Sequence, residues 1–207
     1  MKIKLRLIVT LIFLFTICVK PQSEFIKGVD VSTLLQIEDN GGIFKENGIA
    51  KDPILIFKDN GIEYIRLKLW HTPTADYDNL QKVLIAAQRI KSNGLKIYLN
   101  IHYSDWWADP ANQTKPVAWN GLTIQQLKDS VYQYTKNIIT TLKNNNVLPD
   151  IVQIGNEIIC GMLWNDGRIC DPYNTPQQWQ NFTDLVKSGI NGVKDAVDVS
   201  DSVRIMI

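Results

Sequence analysis

The sequence has no large excess of either charge and few cysteines or histidines, and these shortages exclude several classes of protein. Its 207 residues carry 22 Lys and Arg against 21 Asp and Glu, a formal net charge of +1. Without a whole-protein basic field, binding of nucleic acid or of an anionic membrane has no electrostatic basis. At 45% hydrophobic residues the chain is too apolar for a disordered protein. A globular fold is therefore expected.

The signature motifs of several enzyme classes are also missing. The sequence contains no G-x-G-x-x-G fingerprint, no P-loop, no G-x-S-x-G nucleophile elbow, no H-E-x-x-H pair and no EF-hand loop. With only two histidines and no C-x-x-C pair, a zinc site lacks ligands. We therefore expect neither a cofactor nor a metal.

The longest apolar run lies at the N-terminus, where Lys2, Lys4 and Arg6 precede residues 7–19. The run is too short to span a bilayer comfortably but is typical of the h-region of a secretory signal peptide. We predict a signal peptide over residues 1–22, with an approximate cleavage site, and a secreted product, extracellular or periplasmic and not membrane-bound. A buried N-terminal helix or a short uncleaved anchor is the alternative.

Two of the three cysteines remain after the predicted cleavage, because Cys18 lies within the signal peptide. Disulfides persist in the oxidising compartments that secreted proteins enter. Cys160 and Cys170 are therefore candidates for a local disulfide. Two free buried thiols or a metal-binding pair are the alternatives.

From residue 23 onwards, short β-branched or apolar runs alternate with longer amphipathic stretches, a pattern typical of βα units. Each link between strands contains a helix, as a parallel sheet requires. The predicted strands cover 25–31, 62–70, 95–102, 150–155 and 202–207, and the predicted helices cover 52–60, 79–93, 123–145 and 175–197. We expect an α/β fold in which residues 23–207 supply the first four βα units and the start of strand five of a (β/α)8 barrel. A complete barrel typically has about 250 residues, so we expect an N-terminal part of one.

Acidic and aromatic residues cluster at the predicted C-terminal ends of these strands, where a barrel places its active site. Glu157 follows the fourth strand among isoleucines, so we expect burial to raise its pKa and make it a general acid near neutral pH. A structural salt bridge is the alternative. Tryptophans in the following loops suit stacking against sugar rings, and ordinary core packing is the alternative for any one of them.

Four sequence segments at the predicted strand ends resemble the motifs of a known family. They are GVDVS over 28–32, RLKLW over 66–70, HYSDWWADP over 102–110 and GNEI over 155–158. These motifs resemble those of glycoside hydrolase family 53, the arabinogalactan endo-β-1,4-galactanases. The resemblance implies a retaining endo-hydrolase of β-1,4-galactan, a side chain of plant pectin, with Glu157 as the acid/base catalyst.

The same resemblance implies roles for the residues around Glu157. Asn156 would hydrogen-bond the 2-hydroxyl of the sugar, and Arg66 and His102 would orient the carboxylates at the cleavage point. The remaining candidates for substrate binding are Asp30, Asp105, Trp70, Trp106, Trp119 and Trp164.

The resemblance places the nucleophile at the end of barrel strand seven, which this sequence does not reach. We therefore expect this chain alone to be inactive. The full-length protein is expected to act on its polysaccharide substrate as a monomer. A non-catalytic galactan-binding protein or an inactive fragment is the alternative.

Overall fold

The computed structural model describes residues 25–207, so the predicted signal peptide and Cys18 lie outside the described residues. A five-stranded parallel sheet forms the centre of the fold. Its strands are β1 (Gly28–Asp30), β4 (Tyr64–Leu69), β5 (Lys96–Ile101), β6 (Ile151–Ile154) and β9 (Arg204–Met206). They pair in chain order, and every link between them contains a helix, so the chain forms four successive βα units.

Of the five α-helices in residues 25–207, all but the first begin close to the residues that the sequence predicts. They are α1 (Leu34–Asp39), α2 (Pro53–Asp59), α3 (Leu80–Ser92), α4 (Ile124–Asn144) and α5 (Pro176–Lys194). Side chains that accept a backbone N–H start α2 and α4: Asp52 accepts from Ile54 before α2, and Thr123 forms a capping box with Gln126 before α4. These caps satisfy N–H groups that have no partner within the helix.

The two faces of the sheet differ sharply in character. Alternate strand residues are fully buried and apolar, and they pack against the helices, where each Leu or Ile contributes about 1.5–3 kcal/mol. They are Ile65, Leu67, Leu69, Ile97, Leu99, Ile101, Val152 and Ile154. The residues between them, such as Arg66 and Asn100, occupy the opposite face, which is the interior side of a barrel. This polar face leads directly to the candidate site.

The structure contains short elements that the sequence does not predict. α1 and the hairpin of β2 (Lys45–Glu46) with β3 (Ile49–Ala50) lie between β1 and α2. A second hairpin, β7 (Gly161–Met162) with β8 (Gly167–Arg168), follows β6. Strands of two residues and a six-residue helix without a side-chain cap are too short to show a hydrophobic period.

Among the described residues, no helix combines the length and the apolar character that a membrane crossing requires.

A disulfide closes the second hairpin. Cys160 and Cys170 are joined, with their Cα atoms 5.0 Å apart, so neither the two free thiols nor the metal pair describes these residues. The carbonyl of Cys160 accepts hydrogen bonds from the backbone of Ile169 and from the indole of Trp164, both at 3.0 Å. The disulfide therefore anchors the loop that follows Glu157.

Within this hairpin, Gly161 cannot be replaced without cost. Its φ is +88°, and a Cβ on it would lie 1.9 Å from the carbonyl oxygen of Gly167. We expect Gly161→Ala to lower the free energy of unfolding by about 3 kcal/mol, because backbone strain and a backbone clash combine. Gly48→Ala is the matched control, since Gly48 also has a positive φ but its Cβ would meet no atom within 4 Å. Equal losses for both variants in urea unfolding would contradict the clash.

Candidate active site

The C-terminal ends of five parallel strands lie along one edge of the sheet, and they gather the residues predicted for the site. Asp30 ends β1, Arg66 lies within β4, and His102 follows β5. Asn156 and Glu157 follow β6. The five side chains come from four consecutive strands, as expected for a site built on a parallel sheet.

Arg66 joins three of these strands through its guanidinium. Its Nη1 donates to Asp30, and its Nη2 donates to the side-chain oxygens of Asn100 and Asn156, both at 2.8 Å. The fork geometry of a guanidinium suits several simultaneous acceptors, which the single ammonium of a lysine cannot match. Arg66 therefore determines the relative positions of Asp30 and Asn156.

Asp30 is held as an anion in this network. Partial burial opposes ionisation, but the hydrogen bonds from Ser32 and Arg66 outweigh it and leave the pKa of Asp30 below its ordinary value. The carboxylate therefore stays charged beside Arg66 in mildly acidic solution.

Asn156 is buried and its amide orientation is determined by two partners. Its side-chain oxygen accepts from Arg66, and its Nδ2 donates to the carbonyl of Ala108 at 2.7 Å. Its backbone carbonyl accepts from Nε2 of Gln113 at 2.8 Å. One amide N–H remains for a ligand, since each of these contacts uses a single donor or acceptor position.

His102 is buried and neutral. Its Nδ1 accepts from the indole of Trp70 at 3.3 Å and from the backbone of Ala108 at 3.2 Å, so the proton resides on Nε2. Among the described residues, this Nε2 has no hydrogen-bond partner although it is buried. Burial, together with the positive charges of Arg66 and Lys68, lowers the pKa of His102 to about 3. The Nε2–H group is thus an unused donor for a ligand.

This lowered pKa predicts an acid-labile fold. The unfolded chain binds a proton at His102 near pH 6.5, whereas the folded chain does so only near pH 3, so stability is complete above 6.5 and declines as the pH falls. Between pH 7 and pH 4 the loss from this group is about 3 kcal/mol. Urea unfolding at pH 7 and pH 4 should show that His102→Asn loses less free energy of unfolding between these pH values than the wild-type protein. Asparagine keeps an acceptor but does not titrate. An identical pH dependence in both proteins would contradict this prediction.

Glu157 lies at the edge of the site, but not in the apolar surroundings that its neighbours in sequence suggest. Its backbone is left-handed, with φ 49°, and its side chain is exposed. Ile159 is 74% exposed, and Ile158 packs beneath Gly155, with its Cγ2 2.6 Å from the position a Cβ would take there. Within residues 25–207 the isoleucines therefore do not bury Glu157, because the left-handed turn separates it from them. Its burial in the complete barrel stays a prediction.

The tryptophans divide into buried and accessible rings. Trp70 and Trp119 are 3% and 6% exposed, so the expectation that they present open faces to a sugar is wrong. Trp119 packs against His71, Tyr103 and Tyr134. Trp70 lies beneath Trp106, with ring centroids 4.7 Å apart. Their loops fold back onto the end of the sheet, which buries these large rings.

The accessible rings come from the loops after β5 and β6. Trp106 and Trp107 are 53% and 45% exposed. Trp164 is half-buried, with the guanidinium of Arg168 stacked 4.1 Å from its centroid. Exposed indole faces suit stacking against the C–H faces of sugars.

The carboxylate of Asp105 connects two loops of the site. One of its oxygens accepts the backbone N–H of Thr72 at 2.9 Å, and the other accepts that of Val117 at 2.8 Å. The carboxylate therefore joins the loops after β4 and β5. Each oxygen retains a further acceptor position, so a direct contact of Asp105 with substrate stays a prediction.

Sequence reasoning assigned no role to three residues of the site: Lys68, Asn100 and Gln113. Strand alternation was the available signal for two of them. Lys68 and Asn100 lie two residues from Arg66 and His102 on the same strands, and they are paired in register. Polar residues that share the face of a candidate site residue were therefore predictable members of the site.

Within residues 25–207, no group of three or more His, Cys, Asp or Glu side chains is placed to hold a metal ion.

The model of glycosyl hydrolase family 53 matches residues 26–207. The chain belongs to this family. The predicted family and the predicted fold, the first part of a (β/α)8 barrel, are therefore confirmed.

Individual relatives agree with this assignment. An uncharacterized protein of Niallia circulans is 43% identical over 188 residues, which cover 90% of this chain and 50% of the relative. Arabinogalactan endo-β-1,4-galactanase A of Emericella nidulans is 38% identical over 171 residues, which cover 82% and 47%. The solved family 53 catalytic domain of Ignisphaera aggregans matches with a TM-score of 0.79 at 37% identity, covering 87% and 50%. The chain thus spans about half the length of the relatives it matches.

Proposed function

We propose that the full-length protein is a secreted, retaining endo-β-1,4-galactanase, and that this chain supplies its acid/base catalyst, Glu157. The observation that carries the proposal is a hydrogen bond from Arg66 that orients Asn156. Asn156 directly precedes Glu157 in the sequence, and Glu157 is exposed. Family membership and the similarity to the Emericella nidulans galactanase support the substrate class.

In this proposal Glu157 protonates the glycosidic oxygen while a second carboxylate attacks the anomeric carbon. The two carboxyl groups of a retaining enzyme lie about 5–5.5 Å apart. The nucleophile is expected from a later strand of the barrel. Glu157, now ionised, then removes a proton from the water that releases the sugar.

The remaining residues of the site bind and orient the sugar at the cleavage point. The remaining amide N–H of Asn156 suits a hydrogen bond to the 2-hydroxyl, and the Nε2–H of His102 is a second buried donor. Trp106 and Trp107 offer exposed rings for the neighbouring sugars of a polymer.

Secretion is part of the same proposal. The basic and apolar start of the sequence has the pattern of a signal peptide over residues 1–22, followed by the barrel from residue 23. The disulfide between Cys160 and Cys170 suits an oxidising compartment.

Assays of the full-length protein on purified polysaccharides test the proposal. We expect reducing ends to be released from β-1,4-galactan, with internal cleavage shown by a rapid fall in viscosity, and far less release from mannan or cellulose. Galactan binding without any release would instead indicate a non-catalytic binding protein. Preferential hydrolysis of mannan or cellulose would overturn the substrate assignment.

A further inference from the structure

Lys68, a buried lysine in contact with the exposed ring of Trp107, has no part in the mechanism above. Lys68 lies on β4, two residues after Arg66 on the same face of the strand, and is 3% exposed. Its Nζ lies 3.2 Å from Oδ2 of Asp78, which is also buried. Burying two charges is costly even when they are paired. The position of this pair beside the site therefore suggests a role beyond packing.

Two indole rings complete the surroundings of the ammonium group. The Nζ of Lys68 lies 4.0 Å from the ring centroid of Trp107 and 4.6 Å from that of Trp70. Both distances fall within the range of cation–π attraction, which is stronger when the cation is desolvated. One ammonium group thus contacts an exposed ring and a buried ring at once.

Asp78 is attached to the same structure by its backbone as well as by its side chain. Its carbonyl accepts the backbone N–H of Trp70 at 2.8 Å. The residue whose carboxylate pairs with Lys68 is therefore also hydrogen-bonded, through its backbone, to the residue that follows β4. This arrangement anchors the ammonium relative to the ring of Trp70.

Both rings that Lys68 contacts also contact His102. The indole of Trp70 donates to Nδ1 of His102, and the ring centroids of Trp107 and His102 lie 5.8 Å apart. The donor from Trp70 helps to keep the imidazole proton on Nε2. A continuous series of contacts thus runs from Asp78 through Lys68 and Trp70 to His102.

We propose that Lys68, anchored by Asp78, is a positioning residue that fixes the rings of Trp70 and Trp107 and thereby keeps the Nε2–H of His102 available to the sugar. Its positive charge also disfavours a proton on Nδ1. The consequence for sugar binding rests on the proposed function, whereas the consequence for His102 does not.

Charge and shape can be separated by two substitutions. Lys68→Met keeps a long, flexible side chain without the ammonium, and Lys68→Arg keeps a cation that stacks on aromatic rings. Lys82→Met is the matched control, because Lys82 also contacts an aromatic ring, that of Tyr77, and an acid, Asp39, but neither tryptophan. The readouts are the 15N NMR signals of the His102 ring and calorimetric binding of β-1,4-galactotetraose.

In Lys68→Met we expect the two His102 nitrogen signals to move toward each other as both tautomers become populated. We expect the affinity for the oligosaccharide to fall about tenfold. In Lys68→Arg and in Lys82→Met, both the His102 signals and the affinity should stay close to their wild-type values. A folded Lys68→Met protein with unchanged His102 signals and unchanged affinity would overturn the proposal.

Asp78→Asn provides a second test that does not depend on the folding of Lys68→Met. It removes the anchor while the ammonium remains, so the His102 signals should again converge, and unchanged signals would overturn the proposal. If the signals respond as expected but the wild-type protein binds no galacto-oligosaccharide, the positioning role stands and the proposed function fails.

Discussion

Glu157→Gln should lower the rate of β-1,4-galactan hydrolysis by the full-length protein by about 1,000-fold, the contribution typical of a positioned general acid/base. Glutamine has nearly the same shape but can neither donate a carboxyl proton nor remove one from water. Because Glu157 is exposed, its replacement should leave the free energy of unfolding unchanged. The measurement is kcat on galactan together with urea unfolding.

Glu63→Gln is the matched control for this prediction. Glu63 is exposed and lies just before β4, at the opposite end of the sheet. It should retain full activity. A second control is a galactoside with a good leaving group, whose departure needs little protonation, so that the first step of Glu157→Gln is less impaired. Full activity of Glu157→Gln on galactan would refute the acid/base assignment.

Arg66→Met should also lower kcat/KM by about 1,000-fold, because it removes three hydrogen bonds from a charged donor at once. Asn156 loses the partner that orients its amide oxygen, and Asp30 keeps a charge without its cation. Arg66→Lys should recover little of this loss, since an ammonium does not reproduce the fork of a guanidinium. Steady-state kinetics on galactan would measure both variants.

Arg89→Met separates loss of activity from loss of stability. Arg89 is also partly buried, and it binds Glu38 and Asp52 on the helix side of the sheet. It should destabilise the fold by an amount similar to Arg66→Met while leaving the kcat/KM of the folded enzyme nearly unchanged. Equal losses of kcat/KM in the two variants would show that Arg66 acts only through stability.

Much of the fold was predictable because the long elements have clear local signals. α4 carries both a capping box at Thr123 and a continuous apolar stripe, and the structure begins and ends it within one residue of the prediction. β5 alternates Ile or Leu with Lys, Tyr and Asn, and it ends where the loop begins at His102. Such signals depend only on residues within the element, so they can be recognised without knowledge of the tertiary structure.

The candidate site was predictable in its membership more than in its geometry. Arg66, Asn156 and His102 lie together because parallel strands end at one edge. The burial of Trp119 and the exposure of Glu157 depend on how loops fold back, which the order of residues does not reveal. The contact between Lys68 and Asp78 joins β4 to the irregular loop that follows it, and no helical or strand period indicates such a contact.

The stereochemistry of the first products tests the central claim most directly. Proton NMR of β-1,4-galactan during its earliest hydrolysis by the full-length protein should show new reducing ends as the β-anomer, with the α-anomer appearing later by mutarotation. That result would establish a retaining galactanase. Initial release of the α-anomer, or no release from galactan, would contradict the account.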